Sequence, residues 1–168
     1  MSPLTGLPPH LERYATELAV AAAETGLDPL LIAAVLDRES RGGLDLTPPG
    51  PSGVGDNGHG HGLMQIDDRS WAQWLATAKW WEPAVNISKG AEILNANFVR
   101  FEDAFDQTFC AVAAYNCGPG NVHACLKSLP AWASDGAKRM AIDRRTSDNY
   151  ASGVLARRNA FLEARTPS

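Results

Sequence analysis

Eight of the fifteen glycines in this 168-residue chain fall between Gly42 and Gly62. Glycine weakens a helix interior and supplies the backbone conformations that tight turns require. This segment therefore predicts turns and loop, with a short hairpin running into residues 63–66. Apolar residues recur at helical spacing on both sides of it, so we predict an α+β fold that is predominantly α-helical, with a small irregular or β element.

Two helices are predicted before the glycine-rich segment. Residues 10–25 carry apolar side chains at helical spacing and are followed by a glycine. Asp28 and Pro29 suit the N-cap and the first turn of a second helix, which we predict over residues 29–40.

Further helices are predicted after the glycine-rich segment. Ser88 is the expected N-cap of one, and Asp106 caps another whose residues 109–115 are nearly apolar all round, which is typical of a helix at the centre of a core. A short helix follows. A loop over residues 130–146 is then predicted to lead to a final helix capped by Ser147.

The length predicts one domain covering residues 1–168, with residues 1–9 as an extended N-terminal segment. No basic stretch followed by an apolar run opens the chain, so we predict neither a signal peptide nor a membrane span.

The charge of the chain is unevenly distributed. Residues 1–122 carry seven basic and fifteen acidic side chains (−8), and residues 123–168 carry eight and four (+4). No basic stripe interleaved with aromatic residues occurs, which argues against nucleic acid as a partner. The basic part is read as a solvated helix face, with weak contact to an anionic polymer or membrane as the alternative.

Neither the cysteines nor the histidines predict a metal site. The three cysteines are too few and too widely spaced for a zinc knuckle, and we expect core thiols, with a bridge between Cys117 and Cys125 as the alternative. His59 and His61 would share one face of a strand, but no third ligand is apparent nearby, so no metal is predicted.

Glu39 is the candidate catalytic residue, because it lies on the inward face of the second helix. The apolar residues of that face are Ile32, Val35 and Leu36. Asp37 is expected to point to solvent. A carboxyl group on an apolar face is costly unless it is paired or stays protonated, and a protonated glutamate is what a glycosidase uses as a general acid. The alternative is a buried ion pair with Arg38, Arg41 or another basic residue.

Ordered sequence blocks surround and follow Glu39. They are Arg38-Glu39-Ser40, residues 55–67 (GDNGHGHGLMQID), residues 114–122 (AYNCGPGNV) and residues 148–151 (DNYA). Over residues 30–160 this pattern resembles the goose-type lysozymes of the lysozyme-like and lytic transglycosylase superfamily.

The resemblance implies a mainly helical muramidase that cuts the β-1,4 bond between N-acetylmuramic acid and N-acetylglucosamine in peptidoglycan, without a metal or cofactor. It places the family's catalytic glutamate on Glu39 and two cleft aspartates on Asp56 and Asp67. An inverting glycosidase needs a carboxylate that activates water, and we expect Asp67 to be this base with Asp56 assisting. For each the alternative is a turn cap, and Asp68 is expected to be solvated.

By the same resemblance, the sugar subsites are lined by Gln65, Tyr115, Asn116 and Tyr150. Amides and aromatic rings suit saccharide recognition. Either tyrosine could instead be a core residue, and Tyr115 is the more open to that objection. Four tryptophans (residues 71, 74, 80 and 81) are expected to pack together, with a carbohydrate platform as the alternative.

Some features depart from the family pattern. Cys117 replaces the usual alanine, Trp71 stands where vertebrate members often have histidine, and the loop over residues 44–52 is longer. Two rival functions remain at this stage: a lytic transglycosylase, which the two aspartates disfavour, and a non-catalytic wall-binding module. We expect a monomer of microbial or viral origin, made in the bacterial cytoplasm and acting on the cell wall after release.

Overall fold

The computed structural model describes residues 4–165. The chain divides into two compact units, Met1–Glu92 with Arg157–Ser168 and, separately, Ile93–Ala156. The helices of the described residues are α1 (Pro9–Glu12), α2 (Ala15–Thr25), α3 (Pro29–Ser40), α4 (Asp68–Thr77), α5 (Pro83–Arg100), α6 (Gln107–Cys117), α7 (Pro119–Ser128), α8 (Asp135–Asp143) and α9 (Tyr150–Glu163). The strands are β1 (Val54–Gly55), β2 (Gly60–His61) and β3 (Ile66–Asp67). The mainly helical α+β architecture is confirmed.

Helix α3 lies at the centre of the first unit. Seven successive residues, 30–36, are each at most 4% exposed. The Asp28 side chain accepts a hydrogen bond from the Leu30 backbone N–H at 2.9 Å, and Pro29 occupies the first turn. The predicted helix over residues 29–40 is therefore confirmed, and so is its N-cap.

The single helix predicted over residues 10–25 is wrong, because the chain forms α1 and α2 with a break between them. Tyr14 interrupts the helical backbone with φ −105° and ψ 9°. Its side chain is buried, and its hydroxyl donates to the Gly42 carbonyl at 3.1 Å. A tertiary hydrogen bond at this residue thus accompanies a break that apolar spacing alone does not reveal.

The glycine-rich segment forms turns, one 3-10 turn (Asp56–Gly58) and a three-stranded antiparallel sheet in the order β1-β2-β3. Asn86, which is fully buried on α5, anchors the sheet segment to this helix. Its Nδ2 donates to the His61 carbonyl at 3.1 Å, and its Oδ1 accepts from the Met64 N–H at 2.8 Å. One amide therefore pairs two backbone groups that a helix or sheet ladder would otherwise have to satisfy.

The predicted N-cap at Ser88 is wrong. Helix α5 begins at Pro83, five residues earlier, and Ser88 lies inside it with its hydroxyl donating to Glu24 at 2.6 Å. Proline is favoured in the first helical turn because its missing N–H has no helical partner there.

In the second unit, α6 is the buried helix. Residues 109–114 are each at most 3% exposed, and the Asp106 carboxylate accepts from the Phe109 N–H at 3.0 Å. The predicted buried helix and its cap are both confirmed. The short helix expected next is α7, which packs against α6.

The loop predicted over residues 130–146 is wrong, because it contains α8, capped by Ser134. Only Ile142 and Asp143 of this helix are buried, because most of its residues are polar and lie at the surface. The last helix, α9, starts at Tyr150, whose N–H donates to the Thr146 hydroxyl at 3.0 Å, and the cap at Ser147 stays a prediction.

Parts of the N-terminal prediction lie outside the described residues. Of the predicted extended segment 1–9, residues 1–3 are not described, residues 4–8 form neither helix nor strand, and Pro9 begins α1. Over residues 4–165, the helices are all too short or too polar to traverse a bilayer. The three cysteines are free thiols, with Cys110 and Cys125 buried.

Replacing Asn86 tests how much the sheet depends on this one amide. We expect Asn86→Ala to lower the free energy of unfolding by about 1–3 kcal/mol, since two backbone groups lose their partner. Urea denaturation measures the change. Asn95→Ala on the same helix is the matched control, because the Asn95 side chain makes no hydrogen bond among the described residues. Equal losses in the two variants would contradict the role of Asn86.

Candidate active site

Glu39 is the penultimate residue of α3, and its side chain is half-buried. The three apolar residues of the same face, Ile32, Val35 and Leu36, are fully buried at 0% exposure, which confirms the inward stripe. The carboxylate lies at the C-terminal end of the helix, where the helix dipole disfavours a negative charge. The end of α3 is fixed by the buried Ser40, whose hydroxyl donates to the Leu63 carbonyl at 2.7 Å.

The prediction that Asp37 points to solvent is wrong. Its side chain is 13% exposed, with Oδ1 2.7 Å from His10 Nε2 and Oδ2 accepting from Arg157 Nε at 3.0 Å. These partners lie 27 and 120 residues away along the chain. Helical spacing places Asp37 on the face opposite the stripe, but it cannot show that distant segments cover that face.

The sheet brings Asp56 and Asp67 together. Gly60 of β2 pairs with Gly55 on one side and with Asp67 on the other. Asp56 directly follows Gly55 and has a left-handed backbone with φ 45°. Both carboxylates therefore lie at the same end of the small sheet, in the same unit as Glu39.

Gln65, predicted to line a sugar subsite, packs across the sheet. A Cβ atom added at either Gly55 or Gly60 would lie 2.2 Å from Gln65 Oε1, and Gln65 Nε2 donates to the Gly62 carbonyl at 2.8 Å. The missing side chains at these two glycines thus create the space that Gln65 occupies. Part of the glycine pattern is explained by this packing, and the contact of Gln65 with sugar stays a prediction.

Arg69 is the residue of this site that sequence reasoning missed. Its Nε donates to Asp67 Oδ1 at 2.7 Å, and a second guanidinium nitrogen, Nη2, donates to Asp56 Oδ2 at 2.8 Å. Ser70 Oγ donates to the remaining oxygen of Asp67 at 3.0 Å. The available signal was an arginine two residues after a candidate aspartate, at the point where β3 turns into α4.

These contacts set the charge state of Asp67. Burial raises the pKa of this carboxyl group, but the hydrogen bonds from Arg69 and Ser70 and the positive charge of Arg69 together lower the pKa below its ordinary value. Asp67 is therefore ionised at neutral pH, as an acceptor of a proton from water must be.

Asp68 is solvent-exposed at 39%, as predicted, and it also has two histidine neighbours. This first residue of α4 accepts a hydrogen bond from His59 Nδ1 at 2.9 Å, and its other oxygen lies 3.8 Å from His61 Nε2. The hydrogen bond from His59 is the largest influence on the pKa of Asp68 and lowers it. Within residues 4–165, no group of three or more His, Cys, Asp or Glu side chains is arranged to hold a metal ion.

Two of the tryptophans contact each other, and the other two lie beside a lysine. Lys89 Nζ lies 4.0 Å from the ring centre of Trp71 and 5.7 Å from that of Trp74, both on α4. Trp80 contacts His61 edge-to-face at 5.0 Å and Trp81 at 5.9 Å. Cation–π and edge-to-face packing therefore occupy part of these rings, in line with the packing interpretation.

The other predicted subsite residues belong to the second unit. Tyr115 and Asn116 lie in the last turn of α6 and are half-buried, and the Asn116 side-chain oxygen accepts from the Ser147 N–H at 2.9 Å. Tyr150 is only 2% exposed, so it is Tyr150, rather than Tyr115 as predicted, that better fits the alternative of a core residue. Contact of these three residues with sugar stays a prediction.

A family model described as Lysozyme g matches residues 8–164. The chain belongs to the lysozyme g family. Lysozyme g of Struthio camelus is 32% identical over 159 residues, covering 91% of this chain and 68% of that protein. Lysozyme g of Casuarius casuarius is 31% identical over the same length, and the match covers 91% of this chain and 75% of that protein. This family member is therefore a glycoside hydrolase of the lysozyme class.

The fold has a solved counterpart in the lytic transglycosylase Slt of Pseudomonas aeruginosa, crystallised as an inactive mutant. The TM-score is 0.68 at 24% identity, and the match covers 95% of this chain but only 25% of that structure. At this identity the likeness concerns the fold, which is lysozyme-like.

The packing of Gln65 against the glycines is testable by a double-mutant cycle. We expect Gly60→Ala to be destabilising, because its Cβ would overlap Gln65, and to cost less in a Gln65→Ala background, with a coupling free energy of about 0.5–3 kcal/mol. Thermal and urea unfolding of the four proteins gives this value.

Gly120→Ala is the matched control for that cycle, since a Cβ there meets no atom within 4 Å. Its cost should not depend on the residue at position 65. Additive effects of Gly60→Ala and Gln65→Ala would show that the two residues are not in steric conflict.

Proposed function

We propose that this protein is a muramidase that hydrolyses the β-1,4 bond between N-acetylmuramic acid and N-acetylglucosamine in peptidoglycan, with inversion at the anomeric carbon. Glu39 acts as the general acid, and Asp67 with Asp56 binds and activates the attacking water. The observation that carries the proposal is the pair of aspartates bridged by Arg69, on a sheet connected by Ser40 to the helix end that bears Glu39.

The environment of Glu39 supports the acid role. Glu39 follows the apolar residues of its helix face and lies half-buried at the C-terminal end of α3, where the helix dipole disfavours a negative charge, so the proposal assigns to it the proton that passes to the leaving oxygen. General acids of glycosidases are commonly glutamates in such surroundings.

The aspartates support the base role. In an inverting reaction the oxygen of a water bonds to the anomeric carbon as the bond to the leaving oxygen breaks. Glu39 gives its proton to that leaving oxygen, and the aspartate pair accepts one from the water. Asp56 Oδ2 and both oxygens of Asp67 accept hydrogen bonds from Arg69 or Ser70, while Asp56 Oδ1 makes no hydrogen bond within residues 4–165.

A lytic transglycosylase is the second candidate, favoured by the fold of the Pseudomonas aeruginosa enzyme. In that reaction the 6-hydroxyl of the muramyl residue, rather than water, attacks the anomeric carbon, and no water-activating carboxylate is needed. Two ionisable aspartates held on one sheet favour the hydrolytic reaction.

The acid role of Glu39 is tested by Glu39→Gln, which keeps the shape of the side chain and removes the proton donor. We expect loss of about two to four orders of magnitude in the rate of glycan cleavage, with the melting temperature close to that of the wild type. Turbidity loss of permeabilised bacterial cells measures the rate. Glu102→Gln, an exposed residue, is the control and should keep full activity. Full lysis by Glu39→Gln would instead favour a non-catalytic wall-binding module.

Mass spectrometry of the muropeptides from the same wild-type digests separates the two catalytic candidates. Hydrolysis gives reducing muramyl ends, and transglycosylation gives 1,6-anhydromuramyl ends that are lighter by one water. Products consisting only of anhydro forms would contradict hydrolysis.

We also propose that the basic C-terminal part assists contact with the anionic wall, and that the protein acts in bacterial lysis after release from the cytoplasm. Lys127, Arg144 and Arg145 form no ion pair among the residues that the structure describes. Three cationic side chains without an ion pair in one part of the chain favour its contact with a polyanionic surface.

Salt dependence of wall binding tests this contact. We expect binding of Glu39→Gln protein to purified cell walls to weaken from about 0.05 to 0.5 M salt, because the ions screen exposed charges. Replacing the three cations by glutamine should remove most of that dependence. Replacing Lys79, which already pairs with Glu82, should leave it unchanged. Equal salt dependence in all variants would contradict the contact.

A further inference from the structure

The region around Arg69 places two negative charges on one positive side chain. Asp56 Oδ2 and Asp67 Oδ1 both lie within 2.8 Å of guanidinium nitrogens, so the two carboxylates are close neighbours. Like charges at such separations repel, and ionising both is costly unless a cation lies between them. Arg69 is the only cation in an ion pair with either aspartate among residues 4–165.

We propose that Arg69 is the positioning residue of the reaction, holding Asp56 and Asp67 in fixed orientation so that they present a common water site. This inference rests on the proposed hydrolytic function. Arg69 itself touches neither the water nor the sugar in this scheme, and it acts through the two carboxylates.

The geometry of arginine suits this role. A planar guanidinium has several N–H donors in fixed directions, so it can satisfy two carboxylates at once and fix the angle between them. Lysine carries the same charge on a single flexible ammonium group. The bridge is therefore expected to need the shape of arginine as well as its charge.

The local backbone explains why an anchor is needed at Asp56. This residue is in a 3-10 turn with left-handed φ angles at Asp56 and Asn57 and a following glycine at 97°. Its side chain is 57% exposed. Its side-chain partner is Arg69, which lies at the start of α4 and also binds Asp67 of β3. The bridge therefore connects the end of β1 to β3, the two outer strands of the sheet.

Ser70 completes the arrangement at Asp67. Its hydroxyl donates to Oδ2 while Arg69 occupies Oδ1, so rotation of the carboxylate would break a hydrogen bond on either side. At Asp56 one oxygen remains open. Water bound there would lie next to a carboxylate whose orientation is set by the guanidinium.

The test compares Arg69→Gln and Arg69→Lys with the wild type in steady-state cleavage of soluble glycan strands as a function of pH. For Arg69→Gln we expect kcat to fall about 10- to 100-fold with KM within about twofold, since substrate contacts remain and the water site is disordered. We expect no larger fall in kcat, because Arg69 and both carboxylates are exposed to solvent and exposed ion pairs are screened.

The pH profile gives a readout that a purely structural role would not change. Removing the cation raises the pKa of Asp67, so the carboxylate becomes protonated at higher pH. The acidic limb of kcat should therefore shift to higher pH in Arg69→Gln. Arg69→Lys keeps the charge but loses the bidentate geometry, so we expect the limb near its wild-type position and only partial recovery of kcat.

Arg139→Gln is the matched control. Arg139 pairs with Asp106 in the second unit and is 54% exposed, close to the 60% of Arg69. It should leave the pH limb and KM unchanged. A double variant, Arg69→Gln with Asp56→Asn, should be less impaired than the product of the single effects, since Arg69 acts through Asp56.

The outcomes separate the inference from the proposed function. If Glu39→Gln abolishes hydrolysis while Arg69→Gln keeps the kcat and acidic limb of the wild type, the role of Arg69 is wrong and the muramidase remains. If Glu39→Gln stays active or products are only anhydro forms, the proposed function itself is wrong. If Arg69→Gln fails to fold, Arg69→Lys decides: wild-type kcat in that variant would overturn the need for the bidentate bridge.

Discussion

The hydrogen bond from Ser40 to the Leu63 carbonyl is the connection on which the site depends. It joins the end of α3, a helix buried at the centre of the first unit, to the segment that leads into β3. Glu39 precedes Ser40 and Asp67 closes β3, so one buried hydroxyl relates the candidate acid to the candidate base. Because Ser40 also accepts from the Gly43 N–H, it serves both the helix end and the turn after it. In the proposed reaction, Ser40 thereby holds the acid Glu39 and the base Asp67 in place relative to each other.

The sheet beside it is too short to be stable through its own ladder, since each strand has two residues. Side chains supply what the ladder lacks. Asn86 satisfies backbone groups behind the sheet, and Gln65 fills the space over two glycines. The segment is thus held by these polar side chains together with the buried apolar residues Leu63, Met64 and Ile66. Such a scaffold suits a site that must keep charged groups next to water.

Much of this fold follows from the sequence, and the reasons for the exceptions are physical. Helix α3 and the buried α6 carry strong local signals, a capping aspartate and continuous apolar residues, and both were predictable. The break at Tyr14 accompanies a contact 28 residues away and has no local signature. Helix α8 does have local signals, the Ser134 cap and amphipathic spacing, which the prediction of a loop did not use. At the site, the spacing and the resemblance identified the carboxylates. Arg69 was missed because a charged residue on an exposed helix start is ordinarily a solvated one, and its role depends on a partner 13 residues earlier.

The pairing of Asp37 has a consequence for the ends of the chain. His10 from α1 and Arg157 from α9 meet on this one carboxylate, and a side chain at Gly6 would collide with the Phe161 carbonyl and the Arg165 stem. Residues near both ends are thus inner parts of the first unit rather than tails. A fragment shortened past His10 or Arg157 would leave the mostly buried Asp37 without one of its two basic partners. Since Gly6 lies beside Phe161 and Arg165, a chain that is circularly permuted and opened at an exposed loop would suit the attachment of a targeting module.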